Sequence, residues 1–113
     1  MSLLTLSAAA MILTAIAHSL VGEKRLIGPL LAMRIDILSG YRANLVRFAW
    51  HFTSLLMIVT ALLVAWPDTP VPLIKITGAI WLFAGVIDGF LTRGKHIGWP
   101  LLSAAGLLAL LGG

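Results

Sequence analysis

The sequence predicts an all-α integral membrane protein, a four-helix transmembrane bundle with a short interfacial helix between helices 1 and 2. Three observations predict it. First, 60% of the 113 residues are hydrophobic and only 11% are charged. A soluble domain carries about 25% charged residues and at most about half apolar ones. This chain cannot cover itself with polar surface, so lipid is its expected solvent. Second, uninterrupted apolar runs near the length of about 20 residues that crosses a bilayer recur along it. Third, the cations between those runs collect on one side.

The first run covers residues 3–21. "AIAHS" resembles a small-residue cleavage site, but no cation precedes the run as a signal peptide requires, so an uncleaved helix is expected. The segment "IGPLLAMRIDILSG" follows. Pro29 suits a first helical position and Gly40 an end. Arg34 and Asp36 interrupt its apolar residues, which suits a helix lying in the interface over about 29–39. The second run, "FAWHFTSLLMIVTALLVAW", covers 48–66. "WPDTPVP" then makes a tight turn, because proline removes backbone donors and cannot continue a helix. The third run covers 71–91, with Lys75 near enough to its start to snorkel out. The fourth, 97–111, is short and contains glycine. One domain with no linker is expected at this length, and no internal repeat is visible.

Cations orient the spans. Lys24, Arg25, Arg34, Arg42 and Arg47 belong to the first connection, Arg93 and Lys95 to the third, and Lys75 alone to the other side. Cytoplasmic loops hold such an excess, so both termini are expected outside, in a bacterial inner membrane. The net charge of +4 therefore does not imply nucleic acid. The expected partner is the lipid bilayer, with a homo-oligomer or a larger membrane complex as further candidates.

Each span has one face that avoids bulky aliphatics at helical spacing. These are Ser7, Met11, Thr14 and His18; Arg47, His51 and Ser54; Gly78, Trp81, Gly85, Asp88 and Thr92; and His96, Trp99, Ser103 and Gly106. Alternating span direction puts His18, His51, Asp88 and His96 within about a turn of the cytoplasmic face. Glu23 lies just outside. Intramembrane acids and histidines are costly and mark pairing or function.

Each member also has a plain reading. His18 can cap a helix-end carbonyl. His51 beside Trp50 can be an interfacial anchor, and His96 a loop residue. Asp88 can pair with Arg93 or Arg47. Gly85 and Gly89 form a G-x-x-x-G pattern that means close helix contact more often than chemistry.

Imidazoles and carboxylates are ligands for borderline divalent metals. His18, His51, His96, Glu23 and Asp88 are thus the candidate ligands of a transition metal (Zn, Fe or Cu), with Ser19 and Ser54 orienting them. A b-type haem between His18 and His51 is the variant. On this reading "AHSLVGEKR" ends its helix at the Val-Gly step and folds Glu23 back, while Ser19 or a carbonyl fixes the His18 ring. Proton-linked small-molecule or ion transport is the alternative, since acids and histidines also make proton relays. An accessory or assembly subunit of a larger complex is the third. There is no cysteine. Ser19 and Ser54 show no activating neighbours in the sequence, so nucleophilic catalysis has no support there.

Overall fold

The computed structural model describes all 113 residues and contains helices and no strands. Helix α1 spans Leu3–Gly22. Its first turn is capped by Ser2, whose hydroxyl accepts the Thr5 N–H at 3.1 Å. The helix does not end at the Val-Gly step. It runs through a π-helical turn, Glu23–Ile27, into a short helix α2, Gly28–Ala32. The π turn is marked by the Gly28 N–H, which reaches the Glu23 carbonyl five residues back. The result is one continuous apolar helix, Leu3–Ala32. The interfacial helix expected over about 29–39 is therefore divided. Its first part is the tail of this long helix, and its second part is a single 3₁₀ turn, Asp36–Leu38. A glycine inside a helix costs only about 1 kcal/mol, which neighbouring packing readily overrides.

Gly40 opens a helix instead of closing one. With φ of +61° it turns the chain into α3, Tyr41–Ala65, which begins well before the expected 48. The added turns carry Arg42 and Arg47, which hydropathy excludes but helical backbone accepts. The Pro-rich turn leads into α4, Val71–Leu91, as expected. The last helix, α5, spans Gly98–Gly112. Three helical segments are long and apolar enough to cross a membrane: Leu3–Ala32, α3 and α4. The 15 residues of α5 rise only about 22 Å, less than the hydrocarbon thickness of about 30 Å.

The helices pack in the order α3, α1, α5, α4, and α3 and α4 barely meet despite their short link. Small residues explain the two tightest seams. A methyl on Gly85 would overlap the Ser103 backbone, and one on Gly106 would overlap Leu82. The α4 and α5 backbones thus touch through the face the sequence marked as small, as in close helix contacts generally. Between α1 and α5, the buried Ser7 hydroxyl donates to the Ala105 carbonyl at 2.7 Å. The core around Met11, Ala61, Val64, Ile74, Trp81 and Ala109 lies away from the cationic end. Trp81 stands in the gap between α3 and α4, and its indole donates to Thr60 at 3.1 Å.

Candidate functional site

The polar faces converge at the end of the bundle that carries seven of the cations. Two successive rungs of the α1–α3 seam hold four of the aligned residues. On one rung His18 stacks on Trp50, with ring centroids 4.1 Å apart and 11° from parallel. The Trp50 indole donates to the His18 carbonyl at 2.8 Å. Thr53 donates its one proton to the Trp50 carbonyl at 2.6 Å. Its oxygen lies 2.8 Å from His18 Nε2, so it accepts there. This network assigns the proton to Nε2, which also faces the Trp50 carbonyl at 3.1 Å. The fixing partners are Thr53 and Trp50, and Ser19 does not serve His18. His18 Nδ1 has no partner in the protein.

Gly22 is the reason the two rings fit. A methyl there would overlap the Trp50 indole. The residue expected to terminate the helix instead admits an aromatic ring against its backbone.

On the next rung His51 Nδ1 lies 2.9 Å from Ser19 Oγ. The Ser19 hydroxyl donates to Ser54 Oγ at 2.6 Å, so His51 Nδ1 is the donor to Ser19. His51 Nε2 faces Glu23 Oε1 at 3.9 Å. The same oxygen accepts from Arg47 Nε at 2.5 Å. Glu23 Oε2 is enclosed and has no partner. The π turn and the continued helix, and not a fold-back, bring Glu23 to this point.

Carboxylate, imidazole and hydroxyl therefore stand in series, an arrangement the sequence did not disclose. The order is that of an activated nucleophile, but two features oppose that use. The Ser19 proton is already given to Ser54, and neither serine lines a cavity. What the series forms is a directed hydrogen-bond chain from Glu23 at the rim to the buried Ser54.

A separate pair lies across the bundle end. His96 Nδ1 meets Asp88 Oδ2 at 2.6 Å. The partner of Asp88 is this histidine, and neither Arg93 nor Arg47 fills that place. Gly94, with φ of +74°, and Arg93, with φ of +53°, shape the turn that returns His96 over the end of α4. The Thr92 hydroxyl holds the His96 N–H at 3.3 Å.

The five proposed ligands thus divide into Glu23 with His51, Asp88 with His96, and His18 on its own rung. No group of three or more such side chains gathers in a way that could hold a metal ion. The common metal centre expected of His18, His51, His96, Glu23 and Asp88 is not assembled. In the haem variant the two rings already have partners, His18 Nε2 with Trp50 and Thr53 and His51 Nδ1 with Ser19. The physical reason is angular. Residues 18 and 19, like 50 and 51, project about 100° apart on a 3.6-residue turn, so the two histidines fall on different rungs.

Between the rungs and α5 opens a cavity of about 280 Å³, lined among others by His18, Trp50, Arg25, Lys95 and His96. In the sequence Arg25 and Lys95 stand out as orientation signals only. Their signal as site residues was their position one to two turns beyond His18 and immediately before His96. This chain matches no family model, and neither a curated protein nor a solved structure is similar to it.

Proposed function

We propose that this protein is a four-span integral membrane protein, with its termini outside, that moves protons in linkage with a small molecule. The observation that carries the reading is the chain Glu23–His51–Ser19–Ser54. His51 donates to Ser19 and Ser19 to Ser54, and the 3.9 Å gap between the two acceptors Glu23 Oε1 and His51 Nε2 is one that a water donating to both can bridge. Histidine changes charge nearest to neutral pH of all side chains. His51 can take a proton at Nε2 beside the Glu23 carboxylate and release one from Nδ1 toward Ser19. Rotation of the two hydroxyls resets the chain. Arg47 holds Glu23 in place as the acceptor at the rim. The cavity beside His18 supplies room for the coupled molecule.

Purified protein in liposomes loaded with a pH-sensitive dye tests the reading under an imposed potassium diffusion potential. Acidification above that of empty liposomes is expected. His51→Ala and Ser19→Ala should each return it to the empty-liposome rate while the protein keeps its helical circular dichroism. Wild-type flux equal to that of empty liposomes, or full flux in folded His51→Ala, overturns the reading.

A further inference from the structure

Two cavities share part of their walls. The cavity of about 280 Å³ at the cationic end has Met57 and Leu102 on its wall. A second, of about 210 Å³, is lined by the same two side chains and by Ile80 and Trp81. There α3 and α4 barely touch, so the second cavity opens sideways between them. The two spaces differ in charge. The first has Arg25 and Lys95 on its wall with His18 and His96, and no carboxylate lines it. Neither Arg25 nor Lys95 has an ion-pair partner. His18 Nδ1 and His96 Nε2 are free of protein partners. The second space has no charged residue at all, only aliphatic and aromatic side chains with Thr53 and Thr60.

We propose that this crevice binds a single-chain amphiphile with an anionic head, a long-chain carboxylate. The head sits between Arg25 and Lys95, whose cationic N–H groups donate to it. Charge-assisted hydrogen bonds of this kind are the strong ones. The chain passes between Met57 and Leu102 and leaves toward lipid past Trp81. Methionine is suited to that place, since its unbranched thioether adapts to the chain that displaces it. The inference rests on the membrane reading above and names the molecule linked to the proton.

The test uses the full chain in dodecyl maltoside, photolysed with palmitic acid bearing a mid-chain diazirine. Adducts are located by mass spectrometry. They are expected near Met57 and Leu102, and unlabelled palmitate should suppress them. Hexadecanol, with the same chain and no charge, should compete about tenfold more weakly, the worth of one charge-assisted hydrogen bond. The double variant Arg25→Gln, Lys95→Gln should weaken palmitate competition by about tenfold or more. Both residues are exposed, so the core is undisturbed. Met57→Trp should remove the mid-chain adducts. Adducts confined to outward-facing Phe83 and Phe90 would mean that the probe reports only the detergent belt, and would overturn the proposal. Equal competition by hexadecanol would refute the anionic head. Competition by dioleoyl phosphatidylglycerol but not palmitate would refute the single chain. Competed labelling without proton flux in liposomes defeats the transport reading alone. Proton flux without competed labelling defeats this one alone.

Discussion

Gly22→Ala is the sharpest probe of the seam that positions the site. In an isolated helix the change is favourable, because alanine is preferred to glycine by about 1 kcal/mol. Here the added methyl would enter the Trp50 indole at Nε1, Cε2 and Cζ2. The ring must rotate away, which breaks its 2.8 Å bond to the His18 carbonyl and its stack on His18. A net hydrogen bond contributes about 1 kcal/mol and a stacked aromatic pair about 1 kcal/mol beyond its area. Two losses against one gain leave a destabilisation of about 1 kcal/mol. The sign reverses when the obstacle is removed. In a Trp50→Ala background the methyl has room, and Gly22→Ala should stabilise by up to about 1 kcal/mol. Reversible unfolding in mixed micelles, followed by circular dichroism, measures all four corners of this cycle. Tryptophan fluorescence reports the ring movement separately. A Gly22→Ala protein as stable as the wild type, or the same sign in both backgrounds, would refute the packing argument.

Three further outcomes are expected. Asp88→Leu should lower the detergent melting temperature more than Asp68→Leu, because Asp88 bonds His96 at 2.6 Å while Asp68 is exposed in the Pro-rich turn; the difference should be about 1 kcal/mol, the net worth of such a bond. Ser7→Ala should cost about 1 kcal/mol in the same assay, since it leaves the Ala105 carbonyl without its buried donor between α1 and α5. Accessibility tags at both termini should be reached from outside only, as the placement of Lys24, Arg25, Arg34, Arg42, Arg47, Arg93 and Lys95 requires; a C-terminal tag that reports the cytoplasm would mean that α5 does not cross.

Much of the bundle was legible. Apolar runs located α3, α4 and α5 because burial from water is a sum over many residues and survives local exceptions. The small faces of α4 and α5 were legible for the same reason, since Gly78, Gly85 and Gly106 recur at helical spacing and all three are buried. The alignment of His18, His51, Asp88 and His96 at one end followed from span direction alone. Helix ends were not legible. Gly22 and Gly40 looked alike as terminators, yet one lies inside a helix and the other begins one. A glycine permits a turn, a positive φ or a close contact, and only its spatial neighbours choose among them.

Residue types and helical face are properties of the chain and its helical period, and the sequence alone determined them here. Which polar group meets which was decided only by the tertiary structure. Pairing depends on helix rotation and axial offset, and a shift of one residue turns a side chain by about 100°. That rotation joined His51 to Ser19 and Glu23, turned His18 onto Trp50, and gave Asp88 to His96. It replaced one centre of five ligands with a hydrogen-bond chain, a hydrogen-bonded Asp88–His96 pair and an open cavity. The seams that fix the rotation are backbone contacts at Gly85 and Gly106 and an indole against Gly22. Their partners lie distant in sequence, where no local pattern records them.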